Sequence, residues 1–211
     1  MKFGKKSIIN AEGSILAHTL RLKASIIKKG TILSANDIKI LGDEGYKDLM
    51  VASLEIDDIG ENDAAKELAL TTAGLGVIAG KPFTGRCNLF ASYSGLFIAE
   101  KKLIDSINLV DESMTLGTLA PYSAVETGQM VATIKVIPFS APKSVVLECN
   151  TIARKKSNLL EVKPWKELRI SLIQSILPKT KTTVLKYVSV YLLGSALFGF
   201  LFILIGSQYY Y

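Results

Sequence analysis

The feature that most constrains this chain is the distribution of its charged residues. All 25 Lys and Arg residues and all 19 Asp and Glu residues lie in residues 1–186, and none lies in residues 187–211. A helix that spans a bilayer needs about 20 mostly apolar residues. Tyrosines stand at both ends of 187–211, as aromatic residues do at membrane interfaces. We therefore expect an apolar C-terminal helix, a candidate transmembrane helix, over 187–211.

Three lysines, Lys179, Lys181 and Lys186, directly precede this apolar segment. The positive-inside rule would keep the body of the chain in the cytoplasm and send the C-terminus across the membrane. The first residues carry charges but no apolar run after them, so no signal peptide is expected. We predict a cytoplasmic protein, with an inner-membrane tail anchor as the alternative.

The rest of the composition is that of a globular protein, with 49% hydrophobic and 21% charged residues. The net charge is +6, but its lysine clusters lack the aromatic residues or recognisable module of a nucleic-acid surface. No nucleic-acid partner is expected. The spacing of Cys87 and Cys149 fits neither a metal site nor a disulfide framework, so both are predicted to be free, mostly buried thiols.

Local patterns predict an α+β fold that is β-rich over 1–165, with short helices. Ser34 and Asp37 have the spacing of a helix N-cap and its reciprocal acid, and Gly45 is suited to end that helix. Alternation over 130–139 predicts a strand with Met130, Ala132, Ile134 and Val136 on one face. A short strand is predicted at 145–149. The apolar run at 168–177 is typical of the first buried strand of an α/β domain.

Five stretches of the chain match one known family in order and spacing. They are residues 11–20, 29–38, 58–65, 82–90 (PFTGRCNLF) and 126–139 (ETGQMVATIKVIPF). By these stretches the chain resembles, over about residues 1–140, the bacterial molybdopterin-binding proteins related to the molybdopterin molybdenumtransferase family. The stretch 29–38 alone also resembles small clip-like β modules of sugar-acid dehydratases and antifreeze-like domains.

The resemblance implies a protein of molybdenum-cofactor biosynthesis that binds molybdopterin or its nucleotide form. In the family, a β-rich front region precedes an α/β domain that carries the pterin chemistry. The implied domains are a front region at 1–165, the start of a truncated α/β domain at 166–186, and the apolar tail at 187–211. A frameshift near Lys186 would produce this arrangement. The family implies a transferase, but this chain would lack the active domain, so enzymatic activity stays open.

The alternative function is a tail-anchored membrane protein, held in the lipid bilayer by 187–211, with a non-catalytic cytosolic interaction domain. The tail separates the two hypotheses, since only the second requires a membrane.

The candidate ligand-binding residues are Thr84, Gly85, Arg86, Asn88 and Lys135. An arginine and an asparagine beside a glycine are suited to hold a phosphate or a pterin edge; the alternative is a structural turn in which Asn88 bonds its own backbone. Lys135 either contacts an anionic ligand or extends to solvent. No catalytic constellation and no metal-ligand spacing is recognisable.

Overall fold

The computed structural model describes residues 1–166 and the single positions 181, 183, 187 and 191. The chain divides into two units, of which Met1–Trp165 is the one described below. Its strands are β1 (Lys2–Ser7), β2 (Ile15–Leu16), β3 (Leu20–Arg21), β4 (Ile26–Ile27), β5 (Asp48–Ser53), β6 (Asp58–Gly60), β7 (Val77–Ala79), β8 (Arg86–Ala91), β9 (Gly95–Ala99), β10 (Met114–Thr118), β11 (Ala124–Val125), β12 (Met130–Val136), β13 (Ser140–Pro142) and β14 (Leu160–Pro164). Its α-helices are α1 (Ala35–Asp43), α2 (Glu61–Thr72), α3 (Lys101–Asn108) and α4 (Lys143–Ala153). The predicted α+β class is confirmed.

Two predicted elements lie outside the described residues. These are the strand at 168–177 and, apart from the single positions 187 and 191, the apolar helix at 187–211. Across the part of the chain that the structure does describe, no helix is both long enough and apolar enough to cross a membrane.

The first part of the unit is a small antiparallel sheet with the strand order β1-β5-β2. Strand β1 pairs with β5 from Lys2 opposite Ser53 to Ser7 opposite Asp48. Buried apolar side chains from this sheet, from α1 and from the intervening loops form one core cluster: Ala11, Leu16, Ile27, Leu33, Leu41, Leu49 and Val51. Burial of these side chains holds the β3–β4 hairpin and α1 against the sheet.

Helix α1 begins and ends where the sequence predicts. The Asp37 N–H donates to Ser34 Oγ at 3.2 Å, and the Ser34 N–H donates to Asp37 Oδ2 at 2.9 Å, which makes a complete capping box. Gly45 follows the helix with φ +86°, a left-handed conformation that glycine adopts without steric cost. Both predictions are confirmed.

The second part of the unit contains an antiparallel sheet with the order β10-β12-β8-β7, against which α2 packs. In β12, the predicted inward residues Ala132, Ile134 and Val136 are buried. The prediction for Met130 is wrong, because it is 49% exposed and Val131 is buried instead. The register shifts between Met130 and Ala132, and such a bulge moves the side chains before it to the other face.

A second sheet, β11-β9-β14, and the helices α3 and α4 complete the larger core cluster. The predicted strand at 145–149 is wrong, since these residues lie within α4. The buried positions of α4 are Val146, Cys149, Asn150 and Ala153. Their spacing of three and four residues is helical, whereas the short apolar run taken alone also fits a strand. Cys87 and Cys149 are free and buried, as predicted.

Candidate functional site

A cavity of about 620 Å³ opens beside strands β8 and β12. This volume lies within the range of about 300–1,000 Å³ that is usual for small-ligand sites. Four cationic side chains, two phenylalanines and a single acid contribute to its wall. These residues are Lys29, Lys81, Arg86, Lys135, Phe83, Phe139 and Glu61, and Thr84 and Asn88 line it as well. We refer to this space as the cationic cavity.

The polar face of the β8–β12 pair forms one wall of the cationic cavity. Arg86 lies directly opposite Lys135, and Asn88 directly opposite Thr133. The Thr133 hydroxyl donates to Asn88 Oδ1 at 2.7 Å, which fixes the Asn88 amide across the strands. Because side chains alternate along a strand, Cys87 is buried in the core while Arg86 and Asn88 on either side of it face the cavity.

A tight turn at Thr84 and Gly85 leads into β8. Both residues have positive φ, +47° and +69°, and Phe83 and Arg86 exchange backbone hydrogen bonds of 2.8 and 3.0 Å around them. This is the geometry of a two-residue hairpin turn. The Gly85 N–H donates to Asn62 Oδ1 at 2.9 Å, so the turn is held against the N-terminus of α2.

Lys29 reaches the cationic cavity from the loop between β4 and α1. Its backbone N–H donates to Thr19 Oγ1 at 3.0 Å, and its ammonium lies 5.2 Å from the centre of the Phe139 ring. A cation over the face of an aromatic ring is attracted by the negative charge density there. Lys29 is thus brought to the same cavity as Lys135, although more than a hundred residues separate them in the chain.

The cations of the cavity have few charged partners within the described part of the chain. Within residues 1–166, none of Lys29, Lys81, Arg86 and Lys135 forms an ion pair with an acid. Burial raises the pKa of Glu61, and the charge of Lys29 opposes that rise. A concave wall with one sign of charge in excess focuses the electrostatic field and concentrates ligands of the opposite sign. The cavity is therefore suited to anions, such as phosphates and carboxylates.

The residues predicted from sequence lie together. Thr84, Arg86, Asn88 and Lys135 all line the cationic cavity, and Gly85 forms the turn beside them. The alternative of a turn describes Thr84 and Gly85 correctly but is wrong for Asn88, which lies in β8 and pairs with Thr133 rather than with its own backbone. Lys135 is exposed at the cavity wall.

Sequence reasoning missed the other half of the wall, which consists of Lys29, Glu61, Lys81, Phe83 and Phe139. Each of them stands in or next to one of the stretches that carry the family resemblance. No local pattern in the sequence shows that these separate stretches converge on one cavity.

A second cavity of about 490 Å³ lies between α2 and α4 and is lined by the exposed side chains of Leu70 and Leu147. Asn150 also contributes to it, with a buried Oδ1 that has no hydrogen-bond partner among the described residues. Over the same residues, no three His, Cys, Asp or Glu side chains are grouped closely enough to hold a metal ion.

Comparisons with protein-family models, with curated proteins and with solved structures found no match to this chain. The chemistry of the cationic cavity is therefore the main basis for a functional conclusion.

Proposed function

We propose that this protein binds a phosphorylated ligand with a flat ring, of the molybdopterin class, in the cationic cavity. The observation that carries the proposal is the convergence of Lys29, Lys81, Arg86 and Lys135 with two phenylalanines on one cavity. Charge-assisted hydrogen bonds from guanidinium and ammonium groups recognise phosphate. Phe83 is 75% exposed and offers an apolar ring face to a planar ligand.

The role proposed is binding within molybdenum-cofactor assembly. The resemblance of residues 1–140 to molybdopterin-binding proteins agrees with the character of the cavity, since molybdopterin has both a pterin ring and a phosphate. The residues that we assign to the ligand are Arg86, Asn88, Lys135 and the hydroxyl of Thr84 at the turn.

The test is a calorimetric titration of the chain with a pterin phosphate monoester. We expect saturable binding by the wild-type chain. The double variant Arg86→Gln with Lys135→Gln should bind about tenfold more weakly or worse, because each removes a charge-assisted hydrogen bond. The matched control is Lys39→Gln with Lys102→Gln, which removes the same charge at exposed positions outside the cavity. Equal affinities of the two double variants would contradict the proposal.

We further propose that residues 166–186 begin an α/β cofactor domain that is truncated by a frameshift near Lys186. The apolar run at 168–177 supports this, as does the abrupt loss of charge after Lys186. The coding DNA after codon 186 tests it. A reading frame that continues with an amphipathic helix and Gly-rich loops would support the frameshift, and the absence of such a frame would contradict it.

A tail-anchored membrane protein is the second candidate, and the charge-free segment 187–211 is the observation that favours it. Membrane fractionation of cells that express the intact chain distinguishes the two. Recovery in the membrane fraction that resists carbonate washing supports the anchor, whereas recovery in the soluble fraction alone contradicts it.

A further inference from the structure

Among the described residues that line the cationic cavity, Glu61 is the one acid beside four cations. It is the first residue of α2, and its backbone N–H donates to the Phe139 carbonyl at 3.0 Å. The neighbouring Asn62 holds the Gly85 N–H. The start of α2 is thereby fixed to the turn that precedes β8 and to the segment that follows β12.

The Glu61 carboxylate lies over the turn at Gly85. A methyl group built on Gly85 would come within 2.9 Å of Glu61 Oε2. The absence of a side chain at Gly85 therefore leaves the space that the carboxylate occupies. The hydrogen bonds from the Glu61 N–H to Phe139 and from the Gly85 N–H to Asn62 fix the backbone from which the Glu61 side chain extends.

Among the described residues, the Glu61 carboxylate has neither a hydrogen-bond donor nor an ion-pair partner, although it is half-buried. Half-buried carboxylates without donors are unfavourable, because water is partly removed and nothing replaces it. An acid also repels the phosphate that the cations attract. Both costs are offset when the ligand itself brings N–H donors to the carboxylate.

We propose that Glu61 is a specificity-determining residue whose two carboxylate oxygens accept hydrogen bonds from two adjacent N–H groups on the ring of the ligand. This inference rests on the proposed function, since it concerns the same cavity. Two neighbouring N–H donors on one ring edge occur in the 2-amino-4-oxo arrangement shared by pterins and guanine. Adenine presents a donor beside an acceptor, which would face one carboxylate oxygen with a lone pair.

Mononucleotides are the probe, because they differ in the edge of the ring and share the same phosphate group. GMP has both donors, IMP lacks the exocyclic amine, and AMP lacks the adjacent pair. We expect affinity to fall from GMP to IMP to AMP, with GMP at least about tenfold tighter than AMP, because each lost hydrogen bond to a charged acceptor weakens binding severalfold or more. Inorganic phosphate has no ring, so its affinity should depend on the cations of the cavity and not on hydrogen bonds to Glu61.

The variant Glu61→Gln should abolish the preference for GMP over AMP and should bind inorganic phosphate at least as tightly as the wild-type chain. The matched control is Asp63→Asn, which removes the same charge from an exposed position in the first turn of α2 and should keep the preference.

Three results would overturn this inference. One is equal affinity of the wild-type chain for GMP and AMP, and another is a preference for GMP that survives in Glu61→Gln. The third is loss of GMP binding in EDTA, which would mean that a metal ion mediates the binding in place of direct hydrogen bonds to Glu61. If phosphate and all three nucleotides fail to bind, the proposed function fails as well; binding without base preference contradicts only the role of Glu61.

Discussion

Single residues at the turn before β8 are under backbone constraint. Thr84 is β-branched and has φ +47°, where only glycine, asparagine and aspartate are common. Gly85 has φ +69°, and a methyl group on it would lie 2.5 Å from the Val136 carbonyl oxygen. Thr84 thus lines the cavity in a backbone conformation that its residue type disfavours, as is common at functional sites.

We expect Gly85→Ala to lower the free energy of unfolding by more than about 1 kcal/mol, because it combines a left-handed φ with a backbone clash. Gly128→Ala is the matched control, since Gly128 has φ +80° and nothing within 4 Å of the position of the added methyl group. Urea denaturation of both variants measures the difference. Equal losses would show that the close approach at Gly85 is unimportant.

The pH dependence of Glu61 follows from the direction of its pKa. Burial raises this pKa in the folded state, so the folded chain binds the proton more tightly than the unfolded chain does. The contribution of the protonated Glu61 carboxyl to the free energy of unfolding is complete below the unfolded pKa near 4.5. This contribution is lost as pH rises through the folded pKa. We expect Glu61→Gln to be more stable than wild type at pH 7, with a difference that shrinks towards pH 4. A thermal melting series across this range is the measurement; a difference that grows in acid would contradict it.

At the scale of elements, strands β8 and β12 place two like charges directly opposite each other. Arg86 and Lys135 are cross-strand partners, and such like-charged pairs destabilise a sheet. An anion bound between the two side chains would relieve this repulsion.

Lys135→Glu should therefore stabilise the free protein by about 0.2–1 kcal/mol while it weakens binding of phosphate. Lys163→Glu is the control, because Lys163 is an exposed strand residue paired with the apolar Leu96. Chemical denaturation and a phosphate titration give the two readouts. A loss of stability in Lys135→Glu alone would rule out the repulsion.

The capping box makes α1 depend on Ser34 and Asp37. The side-chain and backbone hydrogen bonds from Ser34 lower the pKa of Asp37. The contribution of the Asp37 carboxylate to the free energy of unfolding is complete above the unfolded pKa near 3.8. This contribution is lost as pH falls through the lower, folded pKa. We expect Ser34→Ala to cost about 1 kcal/mol at pH 7 and less in acid, measured by denaturation at both pH values. A pH-independent cost would show that the carboxylate takes no part.

The helices and strands differ in how well the sequence alone predicts them. Helix α1 was predictable because its boundaries depend on Ser34, Asp37 and Gly45, all within the element. The alternation of β12 was readable, but the bulge after Met130 was not, because it is set by pairing with β8. The residues 145–149 were misassigned because five residues are too few to separate a helical from a strand period.

At the scale of the molecule, both thiols are part of the core. Burial, with smaller contributions from Glu148 and Asp111, raises the pKa of Cys149 to about 11, and burial also raises that of Cys87. Since the thiolate is the reactive species, both cysteines should be inert at pH 8 in the folded chain. We expect the 2 thiols to react with a disulfide reagent only in denaturant. Rapid reaction of either under native conditions would contradict this packing.

The cationic cavity was only partly predictable because it is a property of the whole unit. Arg86, Asn88 and Lys135 could be identified as polar residues within apolar patterns. Lys29 and Glu61 could not, since their contribution depends on how the first sheet, the start of α2 and the β8–β12 pair meet. The wall is formed by tertiary contacts, and these contacts cannot be predicted from the periodicity of any single segment.

The most direct test of the ligand site is an amide-resolved NMR titration of the chain with a pterin phosphate monoester. We expect saturable shifts of the Gly85, Arg86 and Lys135 amides, and no shift at Leu70 and Leu147 around the second cavity. Shifts confined to the second cavity, or no shift at any residue up to millimolar ligand, would contradict binding in the cationic cavity.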